Sequence, residues 1–336
     1  MGRHADVTPP AGSLTGRVAR AVFRACEIPG ANPPYDRALL KIYYPALPDD
    51  GIEQRNAGLM PADRSAAPYP VVIMMPGINV GPEAYAWLAR ELALAGIVTV
   101  TYCLIAEEMP GYISLTPGLD LGAITPDTWG QQASGTAIAA IIEVLRAENE
   151  AGVLEACVDV DKVLLAGHSA GGSVALFNAN PDWFPQVRGA IAYGAHAGAS
   201  TMLGFAENTI LELPGQLPLL LIGGTNDGVM KASAHRYGDG DAPDRMQQTF
   251  ANGFTSDRGD SYFVEVNGAN HFSLAWPVDE STGRHFLDEP EEGSGEDIRQ
   301  LLANLFVTFT NDTLGESTDG MREFDTHPLV STFRCR

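Results

Sequence analysis

The chain has 336 residues, 45% hydrophobic and 19% charged, with a formal net charge of −21. That composition is ordinary for a globular protein, and so acidic a surface repels nucleic acid and anionic membranes, which excludes both as expected partners. With no uninterrupted run of about 18 apolar residues, no membrane span is expected either.

The four cysteines, Cys26, Cys103, Cys157 and Cys335, show no C-x-x-C spacing, so neither a disulfide framework nor a zinc site is expected. Met1 to Asp6 lacks the apolar run of a signal peptide, and the expected location is cytoplasmic.

Residues 1 to 35 are rich in Pro, Gly and Ala and read as an N-terminal arm with a short helix from Gly16 to Cys26. Ala38 to Pro45 reads as a strand, and residues 46 to 69 as a polar surface loop. Tyr69 to Met75 is continuously apolar and stops at Pro76-Gly77, as a strand buried on both faces of a parallel sheet would be. Pro82 opens a helix with Tyr85, Leu88 and Leu92 on one face, ended by Gly96. Ile97 to Cys103 is the next strand, so a strand–helix–strand unit fits in about 35 residues.

Residues 105 to 127 carry Pro110, Gly111, Pro117, Gly118, Gly122 and Pro126 without a clear period. Such a connection at a strand's carboxyl end suits a pocket wall. A helix through Ile138, Ile141, Ile142 and Leu145 follows. Val163 to Ala166 then reads as a short buried strand, Gly167-His168-Ser169-Ala170-Gly171 as a sharp turn, and Ser173 to Asn178 as helix. G-x-S-x-G between a strand and a helix is the pattern of a nucleophile elbow. The glycines let neighbouring backbone approach, and the turn pushes the Ser169 hydroxyl out beyond the sheet. It also leaves the Ala170 N–H free at a helix N-terminus, where negative charge is stabilised.

Further strands are expected at Val187 to Gly194, Pro218 to Gly224 and Tyr262 to Val266. Helices are expected around Arg245 to Phe254 and along Ile298, Leu301, Leu302, Leu305 and Phe309. Residues 229 to 258 read as a second pocket-covering stretch, and residues 315 to 336 as an unassigned tail. The alternation implies an α/β chain: a mostly parallel central sheet with helices on both faces, spanning residues 36 to 314.

Ligands of such sheets bind beyond the carboxyl ends of the strands, and Ser169, Asp227 and His271 all fall at such ends. The order Ser, Asp, His is that of the α/β-hydrolases. A serine hydroxyl needs a base to take its proton. His271 is the candidate base, because imidazole titrates near neutrality. Asp227 is the candidate orienter of the other ring nitrogen. Thr225-Asn226-Asp227-Gly228 alone would also fit a plain turn; the elbow favours the catalytic role. His285, in a polar loop, is the reserve base. The Ala170 and Ile78 N–H groups are the candidate oxyanion donors. Asn79, His168 and His196 are candidates for lining the substrate site. Asp239, Asp241 and Asp244 loosely resemble a calcium loop but lack its bidentate Glu, and no metal is expected.

Four segments carry a family resemblance: Pro70 to Ile78, Gly167 to Gly172, Ile222 to Gly228 and Gly268 to Phe272. On these the chain resembles the α/β-hydrolase families of chlorophyllases, platelet-activating-factor acetylhydrolases, dienelactone hydrolases and cutinase-like polyester hydrolases. The resemblance implies an α/β-hydrolase fold, an oxyanion N–H at Ile78 and a triad at Ser169, Asp227 and His271. Three departures stand out. The nucleophile is serine rather than the cysteine of dienelactone hydrolases. Ile78 stands where polyester hydrolases often carry an aromatic, and no His-Gly-Gly-Gly motif is present. The expected activity is cofactor-free hydrolysis of a small hydrophobic or aromatic carboxylic ester. An acyltransferase or cyclising thioesterase using the same triad, or a non-catalytic binding protein on the scaffold, are the alternatives. Met109, Tyr112, Ile113, Leu115, Met202, Leu203, Phe205 and Met230 would make the pocket apolar. Oligomeric state is not legible.

Overall fold

Every residue of Tyr69–Met75 is buried, as continuous apolarity demands of a strand covered on both faces. The computed structural model describes residues 16–48, 51–238, 244–315 and 319–336. Its strands are β1 (Val18–Glu27), β2 (Arg37–Ala46), β3 (Tyr69–Met75), β4 (Val98–Met109), β5 (Tyr112–Leu115), β6 (Val158–His168), β7 (Val187–Tyr193), β8 (Leu219–Gly224), β9 (Tyr262–Val266) and β10 (Val330–Cys335). The α-helices are α1 (Ile52–Ala57), α2 (Ala86–Leu94), α3 (Ile138–Glu150), α4 (Ala170–Phe177), α5 (Gly228–Ala232), α6 (Arg245–Gln248) and α7 (Gly295–Thr313).

The strands form one sheet in the order β1-β2-β4-β3-β6-β7-β8-β9-β10, with β5 hairpinned onto β4. It is parallel from β4 through β9 and antiparallel at both flanks. Alternate side chains build two cores. Val71, Ile73 and Met75 of β3 face one side with α3 and α4. Val72 and Met74 face the other with Leu88 and Leu92 of α2 and the apolar stripe of α7. Helices thus cover both faces, as the strand–helix alternation implies.

Helix α7 shows how sequence sets an element. Ser294 accepts from the Asp297 N–H at 3.2 Å, and Glu296 and Asp297 complement the positive end of the helix. Ile298, Leu301, Leu302, Leu305, Phe306 and Phe309 are buried, each worth about 1.5–3 kcal/mol against exposure.

Two expectations need correction. Val18–Glu27 is an edge strand paired along its length with β2, not part of a helix-bearing arm. It is pinned by the Arg24–Glu148 pair to α3 and, just before it, by Arg17 Nη2 on Asp63 Oδ2 at 2.6 Å. Val330–Cys335, in the unassigned tail, is the opposite edge strand on β9. Residues 105 to 127 are also more ordered than their composition suggests: they begin with the β4–β5 hairpin and include a 3₁₀ turn, Leu121–Ala123. The helix expected around Arg245 to Phe254 is α6 running into a π-turn, Thr249–Gly253. No helix among the described residues is long and apolar enough to cross a membrane.

Candidate active site

Strand β6 delivers Gly167 and His168, and α4 starts at Ala170, so Ser169 occupies the turn alone. Its backbone is at φ 56° and ψ −124°, a region that costs an L-residue of order 1–3 kcal/mol and persists only where the surroundings enforce it. Two enforcing contacts are visible. The Ser169 N–H donates to the Tyr193 carbonyl at 2.9 Å. The flanking glycines are packed backbone to backbone: a Cβ on Gly167 would lie 2.2 Å from the Gly171 carbonyl, and one on Gly171 would lie 2.3 Å from the Met75 oxygen. The elbow therefore sits hard against the end of β3, whose Gly77 would place a Cβ 3.3 Å from the Ser169 Cβ.

Asp227 follows β8 and caps α5. Its Oδ1 accepts from the Met230 N–H at 2.8 Å, and its Oδ2 lies 2.8 Å from His271 Nδ1. Both side chains are buried, with 4% and 2% residue exposure. A carboxylate can only accept, so Nδ1 is the donor in this contact. Gly194, at φ 57°, lets backbone pass beside this pair; a Cβ there would stand 3.0 Å from His271 Nδ1 and 3.3 Å from Asp227 Oδ2. The Ser169 hydroxyl is half-buried and makes no hydrogen bond among the described residues. Neither the Ile78 nor the Ala170 N–H donates to a protein acceptor among those residues.

His168 is fully buried and does not line an open site. Its Nε2 is 2.9 Å from the His271 carbonyl oxygen, and its Nδ1 is 2.9 Å from the Tyr85 hydroxyl. The carbonyl can only accept, which fixes Nε2 as donor and Nδ1 as acceptor of the Tyr85 proton. Tyr85 in turn accepts from the Gly77 N–H at 3.0 Å. Burial, then the neighbouring His271, hold the His168 pKa well below its ordinary value, in keeping with this neutral tautomer.

Asn79 is also structural in its contacts. It sits at φ 59°, and its Oδ1 accepts from the Leu115 N–H at 3.1 Å, tying the β3 loop to β5. His196 is buried, and its Nδ1 accepts from the Gly198 N–H at 2.9 Å. Its ring packs edge-on against Tyr237 at 4.4 Å. Burial and the nearby Arg245 lower its pKa to about 4. His285, the reserve base, pairs loosely with Glu280 at 3.9 Å.

Asp288 has no sequence signal. Its Oδ1 accepts from the Gly228 N–H at 2.9 Å and its Oδ2 from the Phe272 N–H at 3.2 Å. One carboxylate thus ties together the residues that follow Asp227 and His271. Burial raises its pKa. Two cavities flank the region. One of about 430 Å³ is lined by Asn79, Val80, Glu83, Phe272, Val278 and Thr282, among others. The second, about 310 Å³, has Thr225, Asp227, Met230, Lys231 and Arg245 in its wall. Neither has Ser169 in its lining.

No group of three or more metal-ligating side chains occurs among the described residues; Asp239 and Asp241 lie outside them, while Asp244 caps α6 through Met246 N–H at 2.7 Å. No protein-family model matches the chain, and no curated protein matches it.

Proposed function

We propose that the chain is a serine carboxylic-ester hydrolase of the α/β-hydrolase fold. The observation that carries this reading is the buried 2.8 Å contact between His271 Nδ1 and Asp227 Oδ2, at the same sheet end as a serine on a positive-φ turn. A strained, half-buried serine at the sheet end that also carries an oriented imidazole is the set of groups that acyl transfer to a hydroxyl requires.

In the proposed reaction, Ser169 Oγ attacks the ester carbonyl carbon while its proton passes to His271 Nε2. The negative charge that forms on the carbonyl oxygen is received by the Ile78 and Ala170 N–H groups. The C–O bond to the alcohol breaks, and the alcohol leaves with the proton from Nε2. Water then gives a proton to Nε2 and attacks the acyl-enzyme; the tetrahedral species collapses, Ser169 regains its proton and the acid departs. Asp227 keeps Nδ1 protonated throughout and stabilises the imidazolium.

The test is hydrolysis of a p-nitrophenyl ester series, from acetyl to long acyl, by wild type and Ser169→Ala. Turnover present in wild type and lost in the variant supports the reading. Phosphonate labelling at Ser169 without ester turnover would replace it with acyl transfer to a non-water acceptor, and silence in both assays would remove it.

A further inference from the structure

We propose that the ester taken by this site carries a second, ionised carboxylate, received by Arg245, Arg284 and Arg236 around Tyr237. The inference rests on the esterase reading of Ser169 and names the substrate class of that site.

None of these three arginines forms an ion pair among the described residues. Several other described cations, among them Arg20, Arg90 and Arg188, make none either; burial is what sets Arg245 apart. Arg245 is the most constrained. It is 6% exposed, its Nη2 donates to Asn208 Oδ1 at 2.7 Å, and its guanidinium lies 5.7 Å from the Tyr237 ring centre. Its Nε and Nη1 are buried and have no hydrogen-bond partner. Two unmet donors on a buried charge are costly to maintain, and a carboxylate oxygen is the acceptor a guanidinium N–H takes most strongly.

Arg284 is half-buried and donates through Nη1 to Ser233 Oγ at 2.9 Å. Arg236 adjoins Tyr237 and is exposed. Burial and then Arg236 lower the pKa of Arg284, and Tyr237 lies within the field of all three arginines. Asp227 acts on Arg284, and Asp244 and Glu265 share with Arg245 the wall of the smaller cavity; these carboxylates offset part of the three charges.

The cluster adjoins the triad through His196. That ring touches Tyr237, and Arg245 and Asp227 line the same cavity. The rim beside the arginines is apolar: Met202 is 77% exposed, next to Thr201, whose hydroxyl reaches the Arg236 carbonyl at 3.4 Å. Tyr112, half-exposed at the β5 hairpin, lies within the field of Arg284. An apolar rim with a cationic recess suits an ester with an apolar body and an anionic end.

The experiment compares kcat/KM for matched ester pairs: p-nitrophenyl hemiglutarate against p-nitrophenyl valerate for an acyl-side carboxylate, and 4-carboxyphenyl butyrate against phenyl butyrate for an alcohol-side one. Wild type is expected to prefer the anionic member of one pair by about tenfold or more, the scale of one charge-assisted hydrogen bond. Arg284→Gln and Arg245→Met should each cut that ratio about tenfold, and Arg284→Lys should restore part of it. A ratio unmoved by Arg284→Gln, or a preference for the neutral member of both pairs, overturns the inference. Calorimetric titration of Ser169→Ala with glutarate separates the two readings. Binding lost in Ser169→Ala/Arg284→Gln supports the recess even if no ester turns over. No binding, together with hydrolysis of neutral esters alone, leaves the esterase reading standing and removes this one.

Discussion

The imidazole of His168 donates from Nε2 to the backbone carbonyl of His271, 2.9 Å away. The residue before the candidate nucleophile thus holds the backbone of the candidate base, and through Tyr85 it also holds Gly77, which precedes the candidate oxyanion donor Ile78. Tyr85→Phe removes the middle of this chain and leaves His168 Nδ1 and the Gly77 N–H buried and unpaired. Each such group costs about 1–3 kcal/mol. The expected outcome is a lower Tm and a kcat reduced about tenfold with KM little changed, as for an interaction made in the transition state. Steady-state kinetics on one p-nitrophenyl ester, with calorimetry alongside, checks it; an unchanged kcat would show that the two loops need no link.

Asp288 joins the Asp227 and His271 loops through two backbone N–H groups. In Asp288→Ala the Gly228 N–H loses its acceptor, while the Phe272 N–H keeps only Asn270 Oδ1 at 3.0 Å. Activity should fall by about tenfold or more, from a misplacement of the base rather than loss of a reacting group. Asp288→Asn retains one acceptor oxygen and should fall between wild type and alanine. If alanine and asparagine behave alike and near wild type, Asp288 has no positioning role.

Gly194→Ala should damage activity more than stability. The left-handed backbone costs an L-residue about 1–2 kcal/mol, yet the added methyl would stand 3.0 Å from His271 Nδ1. The His271 ring must give by a few tenths of an ångström to admit it, which disturbs its contact with Asp227. Kinetics and urea unfolding on the same sample separate the two effects. Gly167→Ala is the contrasting case: its methyl would meet backbone at 2.2 Å, and loss of the folded protein is expected.

Stability should fall with mild acid. His196 is held neutral with a folded pKa of about 4, against 6.5 ordinarily, and His168 shifts the same way through burial. Between these values the unfolded chain binds a proton that the folded chain refuses, so stability rises with pH there. The His196 contribution is complete above about pH 6.5 and gone near pH 4, with a slope of at most about 1.4 kcal/mol per pH unit for one group. Urea unfolding from pH 7.5 to 5 measures the slope. His196→Gln should flatten it by one proton; an unaltered slope would mean that His196 titrates normally in the fold.

The elbow was legible because its determinants are contiguous: an aliphatic strand, glycines whose side chains would collide, and a serine between them. Asp227 and His271 were legible for a similar reason, each ending an apolar strand in a short polar turn. The edge strands were not. Val18–Glu27 is rich in Ala and Arg, good helix formers, and becomes a strand only because β2 offers it a ten-residue partner. Val330–Cys335 pairs with β9, more than sixty residues earlier. Asp288 and the arginine cluster escape for the same physical reason: Asn208, Tyr237, Arg245 and Arg284 come from segments far apart in the chain, and nothing in any one of them announces the others. His168, a candidate for lining the substrate site, points inward and is fully buried, since a strand's last side chains alternate between faces.

Asp227 meets two donors at once, the Met230 N–H at Oδ1 and the His271 Nδ1–H at Oδ2. Only a carboxylate on a one-carbon stem presents two acceptors in that space. Asparagine would turn a donating amide toward one of the two N–H groups, and glutamate would overshoot both. The position is therefore closed to isosteric exchange: local helix order and the orientation of the His271 ring stand or fall on the same two oxygen atoms.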